Sequence, residues 1–222
     1  CASACQRCCS AFTASRRSGC DCDSAAASSI RALRRAVLSA CAASTLSAGS
    51  AAANIAAWAD IPVAVAVDVV PGARQIDPAI RPLRPAGQQP RLIGRAVTVD
   101  CAAPDFGAVL QALDLITAGE VLVIAASGHR DHAMIGDILS GHLRAKGVAG
   151  VICDGAVRDV GTLAHWDDFA VFSRHITPRG PTGADQGAVG CPVPFGGTTI
   201  HPGDLIVGEV SCPDELNRRH HR

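Results

Sequence analysis

Two acidic residues and an arginine, placed after two expected strands, could carry chemistry in this chain. Asp137 follows Gly136 near the expected start of a helix, and Arg158 and Asp159 follow the apolar run at 148–153. A guanidinium grips a carboxylate through two parallel hydrogen bonds. A carboxylate beside it can hold a hard divalent cation that keeps several waters. These residues indicate a site for an anionic substrate and a metal, or else a structural salt bridge with Asp159 capping a helix.

Backbone groups would complete this site. The N–H groups in the first turn of a helix have no acceptor within the helix, so they can bind a carboxylate. Gly136, Asp137, Ile138 and Leu139 lie inside or open the helix expected here. We therefore expect these four residues and Arg158 to bind the substrate, and Asp137, Arg158 and Asp159 to carry the catalysis.

Other reactive residues are expected to be structural. His129 and His132 could form a metal pair, but two loop histidines without a third ligand nearby are more typically exposed to solvent. Cys153 lies inside an apolar run with no base placed beside it, which favours a core position over a nucleophile. Gly196 and Gly197 are expected in a hairpin turn. The sequence contains no glycine-rich nucleotide loop and no nucleophile elbow.

Apolar periodicity predicts the elements that would position these residues. The central part alternates strand and helix as βαβαβ, and the C-terminal part is β-rich, which indicates a mixed α/β fold. In such sheets a ligand binds beyond the carboxyl ends of the strands, where 127–139 and 154–159 lie. Strands are expected at 91–100, 121–126, 148–153, 169–175, 187–193, 198–200 and 205–208, helices at 107–118, 133–146 and 160–165, and a polar loop at 127–132.

Composition excludes several classes of protein. The chain has 222 residues, 20 basic and 20 acidic, so its formal net charge is zero, and 48% of its residues are apolar. A disordered chain would be less hydrophobic and more charged. Net neutrality without a basic stripe argues against nucleic-acid binding. The sequence has no run of 18 strongly apolar residues, so no membrane-spanning helix is expected.

Residues 1–53 differ from the rest and are expected to be a poorly ordered extension rich in Ala, Ser and Cys, ahead of the main domain at 54–222. Seven of the 11 cysteines lie before residue 42. Cys5 and Cys8 have the spacing of a zinc pair, but Cys20 and Cys22 are a poor second pair. The other cysteines are scattered singly, as in a reduced cytoplasmic protein.

Several short motifs together resemble one family. Asp137 and Arg158 are separated by 20 residues and Asp159 follows directly, as in the aldolase branch of the RraA-like family. That branch contains the class II 4-hydroxy-4-methyl-2-oxoglutarate / 4-carboxy-4-hydroxy-2-oxoadipate aldolases, and the resemblance covers about residues 60–209. The motifs, in order, are Ile80–Leu83, Gly94–Val99, Gly136–Leu139, Gly147–Val151, Asp154–Asp159, Thr177–Gly180 and Pro202–Asp204.

The resemblance implies a layered, swivelling β/β/α fold, assembled as trimers or hexamers with sites between subunits. It implies Mg²⁺ or Mn²⁺ held by Asp159 through a water-rich shell, Arg158 on the pyruvyl part of the substrate, and the backbone of Gly136–Leu139 on a carboxylate. The implied function is a metal-dependent lyase that cleaves 4-hydroxy-2-oxo diacids to pyruvate and also decarboxylates oxaloacetate.

The family also leaves alternatives. RraA itself resembles the aldolases but acts by binding a ribonuclease, so a non-catalytic regulator is a second reading. A third is an inactive, truncated member, because family members continue after the counterpart of Glu209 with a segment that brings an acidic group to the neighbouring subunit's site. Glu209, Asp214 and Glu215 are the acidic residues available here for that role.

Overall fold

A computed structural model describes residues 32, 35–36, 55–85 and 87–209. The expected extension at 1–53 and its cysteine pairs lie outside the described residues, apart from those three positions. The strands are β1 (Arg81–Pro82), β2 (Leu92–Asp100), β3 (Val121–Ile135), β4 (Gly150–Val157), β5 (Ala170–Ile176), β6 (Ala188–Val189), β7 (Val193–Phe195), β8 (Thr198–Ile200) and β9 (Leu205–Gly208), and the helices are α1 (Val63–Val69), α2 (Gly107–Leu115), α3 (Asp137–Ala145) and α4 (Val160–Leu163).

One mixed sheet organises these elements. Its strands lie in the order β1-β5-β4-β3-β2-β6, and β9 pairs with the beginning of β2. The four central strands, β2 to β5, run parallel, whereas β1, β6 and β9 pair antiparallel at the two edges. The predicted α/β class with a β-rich C-terminal part is confirmed, since β7 and β8 form a separate hairpin.

The alternation of side chains along β3 explains the layers. Leu122 and Ile124 face a core that includes residues of α2, α3 and α4, whereas Val121 and Val123 face a second core that includes Val193 and Phe195 of the hairpin strand β7. Successive side chains of a strand point to opposite faces, so a fully apolar strand is buried on both. The sheet therefore lies between a helical layer and a β layer, as the resemblance implies.

The two strands that lead to the candidate site are longer than expected. The predicted polar loop 127–132 belongs to β3, and the segment 133–135, predicted as the start of α3, also extends this strand. β4 likewise continues past Asp154 to Val157. Pairing supplies the physical reason: β3 and β4 keep contact through three register shifts, with His129 opposite Gly155, although Ser127 and Gly128 have positive φ of 50° and 72°.

Most of the remaining elements agree with the expected ones, although α1 and the short strand β1 were not expected. The helices α2 and α4 end a few residues earlier than predicted, and the expected strand 187–193 is split between β6 and β7. Gly196 and Gly197 have φ of 51° and 81° and turn the β7–β8 hairpin, as predicted. No helix within the described ranges is long and apolar enough to cross a membrane.

Candidate functional site

The ends of β3 and β4 bring the predicted site residues together. Ile135 of β3 pairs with Val157 of β4, so the segments that follow them leave the sheet side by side. The N–H of Arg158 donates to the carbonyl of Ile135 at 3.1 Å. Gly136 then opens α3, and Asp159 opens α4.

Gly136 is a glycine because of its neighbours rather than its backbone. Its φ of −142° is extended and open to any residue. A Cβ at this position, however, would collide with the Asp159 carboxylate and would lie 2.7 Å from Cγ of Arg158. The start of α3 therefore lies in direct contact with both functional side chains.

Asp159 occupies a strained backbone position. Its φ of 55° is left-handed, which is uncommon for a residue with a side chain and concentrates at functional sites. Its Oδ2 accepts from the N–H of Asp137 at 3.3 Å and lies 3.2 Å from Nε of Arg158. Asp159 occupies the N-cap position of α4, but its side chain makes no capping hydrogen bond to that helix and instead contacts the first N–H of α3.

The alternative of a structural salt bridge accounts for little of this geometry. Arg158 and Asp159 are adjacent in the chain, and their side chains are 37% and 36% exposed. Ion pairs exposed to this extent contribute at most about 1 kcal/mol to stability. The pair is therefore accessible to a ligand. The small stabilisation expected from this ion pair does not account for the left-handed backbone of Asp159.

A cavity of about 210 Å³ opens beside Arg158. Its walls combine the end of β3, the start of α3 and the beginning of α2, and Arg158 is the charged member of the described lining. Such a space suits a small ligand with one anionic end and an apolar body. The lining residues are Phe106, Leu110, Ala133, Met134, Ile135, Gly136, Ile138, Leu139, Arg158 and Pro181.

Gly180 belongs to this site, although it was not among the predicted site residues. A Cβ at Gly180 would lie 2.7 Å from Nη1 of Arg158. Together with Gly136 it leaves the space that the Arg158 side chain occupies. The available signal was the turn Thr177–Gly180 directly after β5, which the resemblance included without giving it a role.

Asp105 is a second residue that sequence reasoning missed. Its Oδ1 accepts from the N–H of Gly107 at 2.7 Å and of Gln186 at 3.0 Å, and its Oδ2 from the N–H of Asp185 at 3.2 Å. Burial raises the pKa of Asp105, but these backbone donors outweigh it and hold the pKa below its usual value. Asp105 thus fastens the segment after Pro181 to the start of α2, where Phe106 lines the cavity.

The donor set around Asp159 suits a hard cation in a water-rich shell. No group of three or more His, Cys, Asp or Glu converges anywhere among the described residues, so a closed protein cage of the zinc type is absent from them. Asp159 instead presents a partly exposed carboxylate. One or two carboxylates plus waters and substrate oxygens are the ordinary coordination of Mg²⁺.

The other reactive residues have structural surroundings. His129 and His132 lie in the long part of β3, half-buried rather than exposed, with ring nitrogens 3.2 Å apart. Cys153 is fully buried, and burial raises the pKa of its thiol well above the usual value, so it is a core residue as predicted. Lys146, at the C-terminal end of α3, donates from Nζ to the carbonyl of Leu113 at 2.5 Å.

Glu209 makes its contacts away from the candidate site. Its carboxylate lies 2.6 Å from Arg91 and accepts from the N–H of Val63 at 3.3 Å. It follows β9, which pairs with the beginning of β2, at the edge of the sheet opposite the carboxyl ends of the parallel strands. Glu209 therefore does not complete the site of its own chain. The other two acidic candidates, Asp214 and Glu215, lie outside the described residues.

A second arginine–aspartate group lies on the hairpin side of the sheet. Arg174 of β5 bonds through Nε to Asp154 at 2.5 Å and through Nη1 to Asp77 at 2.7 Å. The other oxygen of Asp154 accepts from the N–H of Gly196 at 3.1 Å. This group holds β4, β5 and the hairpin together.

Comparisons with known proteins match most of the chain. The sequence model of the RraA-like family, described as Aldolase/RraA, matches residues 41–211. A protein of Halalkalibacterium halodurans, provisionally named 4-hydroxy-4-methyl-2-oxoglutarate aldolase, is 34% identical over 150 residues, which are 68% of this chain and 70% of that protein.

Two solved structures share the fold. One is described as the RNA-processing inhibitor RraA from Thermus thermophilis; it is 26% identical with a TM-score of 0.58 and covers 64% of this chain and 84% of its own. The other is described as an S-adenosylmethionine:2-dimethylmenaquinone methyltransferase from Geobacillus kaustophilus; it is 26% identical with a TM-score of 0.60 and covers 67% of this chain and 89% of its own.

Proposed function

This chain belongs to the RraA-like family, and on that basis we propose that it is a lyase that cleaves 4-hydroxy-2-oxo diacids to pyruvate. The relative named as a 4-hydroxy-4-methyl-2-oxoglutarate aldolase supports this reaction class. The observation that carries the proposal is the position of Arg158, held between Gly136 and Gly180 at an apolar cavity and beside a strained carboxylate.

The reaction needs stabilisation of negative charge. In 4-hydroxy-4-methyl-2-oxoglutarate the bond between C3 and C4 breaks, and its electron pair passes to C3 and the 2-oxo group as the enolate of pyruvate. The C4 hydroxyl loses its proton as C4 becomes the carbonyl of a second pyruvate, and C3 of the enolate then takes up a proton. Decarboxylation of oxaloacetate releases CO₂ and passes through the same enolate.

The residues of this chain supply much of what that step requires. The Arg158 guanidinium binds the pyruvyl end of the substrate and is already in place where charge develops, so little reorganisation is needed. The N–H groups that follow Asp137 at the start of α3 bind a carboxylate of the substrate. The N–H of Asp137 itself donates to Asp159. The apolar cavity walls exclude water from the bond that breaks.

We propose that Asp159 holds the divalent cation, Mg²⁺ or Mn²⁺. A bound cation would supply further positive charge at the 2-oxo group as a Lewis acid. The left-handed backbone of Asp159 directs its carboxylate toward the start of α3, where it contacts the N–H of Asp137. As the resemblance to the family implies, we expect the chain to assemble as a trimer or hexamer, which light scattering of the purified protein measures.

Pyruvate release tests the proposal. Pyruvate formed from 4-hydroxy-4-methyl-2-oxoglutarate and from oxaloacetate is coupled to lactate dehydrogenase, with Mg²⁺ or with EDTA. We expect turnover that EDTA abolishes and Mg²⁺ restores. Asp159→Asn should lower kcat/KM at least about a hundredfold, because the variant loses the carboxylate proposed to hold the cation, and the Lewis-acid contribution of a metal is worth several kcal/mol.

The choice of variants keeps the test specific. Asparagine tolerates a left-handed backbone as well as aspartate does, so Asp159→Asn changes the charge and leaves the turn intact. Asp167→Asn is the matched control, because Asp167 is 87% exposed and pairs with Arg84. A folded wild-type oligomer that forms no pyruvate from either substrate would contradict the proposal.

A ribonuclease-binding regulator is the second candidate, favoured by the solved structure described as an RNA-processing inhibitor. A binding role does not require the Arg158–Asp159 pair to be accessible to a small ligand. Absence of pyruvate together with inhibition of a purified ribonuclease by the wild type, unchanged in Asp159→Asn, would support the regulator.

A further inference from the structure

Asp105 is a buried carboxylate that the steps of the lyase reaction leave without a task. It is 7% exposed, and its hydrogen bonds come from backbone N–H groups rather than from a basic side chain. Resting on the proposed function, we infer that Asp105 is a positioning residue for that reaction: it fixes segment 180–186 to the start of α2, and this segment in turn holds Arg158 in place at the cavity.

The Asp105 carboxylate joins two stretches of backbone that are distant in sequence. Its Oδ1 accepts from the N–H of Gly107, at the start of α2, and from the N–H of Gln186, and its Oδ2 accepts from the N–H of Asp185. We call these three hydrogen bonds the Asp105 clasp. Hydrogen bonds to a charged acceptor are about twice as strong as those between neutral groups. The clasp therefore holds segment 180–186 against α2 more firmly than backbone contacts alone would.

The backbone is closely packed around the clasp. Asp105 and Gly183 form a parallel β-bridge. A Cβ at Gly183 would collide with the Asp105 carboxylate. On the other side, a Cβ at Gly107 would lie 2.6 Å from the backbone of Ala184. Segment 180–186 therefore cannot shift relative to α2 without breaking these contacts.

The beginning of the same segment reaches the site. Gly180 leaves space for the Arg158 side chain, because a Cβ there would lie 2.7 Å from Nη1. Pro181 lines the cavity. Asp185, which the clasp holds, is only five residues beyond Gly180, so a shift at the clasp changes the position of the backbone against the guanidinium. A misplacement of about 1 Å at a group that binds the reacting part of a substrate can cost 10²-fold in rate.

Asp105→Asn in the full chain tests the inference. An asparagine amide has one acceptor oxygen where aspartate has two, so at least one N–H of the clasp loses its acceptor. We expect kcat/KM for pyruvate release from 4-hydroxy-4-methyl-2-oxoglutarate with Mg²⁺ to fall at least about tenfold. Asp154→Asn is the matched control, because Asp154 is also 7% exposed but bonds to Arg174 on the hairpin side of the sheet. It should keep the kcat/KM of the wild type.

A double-mutant cycle shows through which residue Asp105 acts. Arg158→Lys keeps the positive charge but loses the planar fork that binds a carboxylate through two hydrogen bonds. In this background Asp105→Asn should lower kcat/KM less than about twofold, because residues that act through one shared contact are not additive. A purely structural role would give the same fold loss in both backgrounds.

Hydrogen exchange followed by mass spectrometry measures the clasp without turnover. In Asp105→Asn we expect amide exchange within segment 180–186 to become at least about tenfold faster, with exchange in β4 unchanged, because a lost hydrogen bond to a charged group lowers the free energy of local opening. Gly183→Ala disturbs the same clasp from the other side, because its Cβ collides with the Asp105 carboxylate. It should show the same faster exchange and a lower kcat/KM, which keeps the test valid if Asp105→Asn does not fold.

The outcomes separate the inference from the proposed function. Wild-type kcat/KM in a folded Asp105→Asn protein, or equal losses in Asp105→Asn and Asp154→Asn, would overturn the inference and leave the lyase standing. Equal fold losses in both backgrounds of the cycle, or unchanged exchange within segment 180–186, would do the same. No pyruvate from the wild type would overturn the proposed function and, with it, the role of Asp105 in that reaction.

Discussion

Two arginines, Arg174 within β5 and Arg158 directly after β4, contact aspartates in different ways. Arg174 binds Asp154 and Asp77 at 2.5 and 2.7 Å, and its side chain is 18% exposed. Arg158 contacts its sequence neighbour Asp159 at 3.2 Å, and both are about twice as exposed. The first group is closed, because each charge has a partner on another element. The second is open on one side.

The backbone sharpens this contrast. Asp154 lies within a regular strand, and its second oxygen is occupied by the N–H of Gly196. Asp159 lies after the strand in a left-handed conformation that its contacts with Asp137 and Arg158 stabilise only weakly. The same residue types thus serve stability where they are buried and paired, and remain available for a ligand where the backbone is strained and the charges are accessible.

The largest expected difference is in stability. Asp154→Asn should lower the free energy of unfolding by roughly 2–3 kcal/mol, since it removes one partner of a largely buried ion pair and leaves Arg174 with Asp77 alone. Asp159→Asn should change it by less than about 1 kcal/mol. Urea unfolding followed by circular dichroism measures both, and equal losses would remove the distinction between the closed and the open group.

Glycine substitutions probe the open group alone. Gly136→Ala places a Cβ against Asp159 and Arg158, so these side chains must move; we expect kcat/KM for pyruvate release to fall at least about tenfold, because small misplacements of catalytic groups are costly. Gly161→Ala, at the second residue of α4 and with open space around its Cβ, is the matched control. Full activity in a folded Gly136→Ala protein would show that this contact is dispensable.

The smallest expected effect is a pH dependence in the closed group. The N–H of Ala79 and then the guanidinium of Arg174 lower the pKa of Asp77 below its usual value, although burial opposes them. A lowered pKa in the folded state stabilises the protein above the unfolded value of about 3.9, and this contribution is lost as the pH falls through the folded pKa.

Acid titration of stability measures that contribution. The wild type should lose more stability than Asp77→Asn as the pH is lowered below about 4. Asp131→Asn is the control, because Asp131 is exposed and only approaches Arg130, at 4.0 Å. Parallel pH profiles for the wild type and Asp77→Asn would contradict the assignment.

Local sequence patterns were sufficient for the central strands and for choosing candidate residues that the ends of β3 and β4 bring together. The apolar runs of β3 and β4 are continuous because both faces of these strands are buried, and the polar residues that follow them identify the carboxyl ends. The end of β3 was misplaced because residues 127–132 are polar, whereas their inclusion in the strand depends on pairing with β4, which no local pattern encodes.

Long-range contacts account for the site residues that were missed. Asp105 acts through Gln186, some 80 positions away, and Gly180 acts through Arg158. For both residues, the flanking sequence does not indicate which distant residue they contact. The left-handed backbone of Asp159 likewise could not be predicted from the sequence, because it follows from how β4 connects to α4 rather than from residue type.

The irregular pairing of β3 also marks where the length of this chain is free to change. From Ala125 to Ile135 β3 advances ten residues, while β4 advances three, from Asp154 to Val157. The surplus is absorbed by three register shifts that follow the well-matched pairs from Val121 to Ala125, so an insertion or deletion within 127–132 need not alter those pairs. Alignments should place their gaps in this segment, and a peptide tag or reporter inserted there would leave the distance between the sheet and Gly136 unchanged.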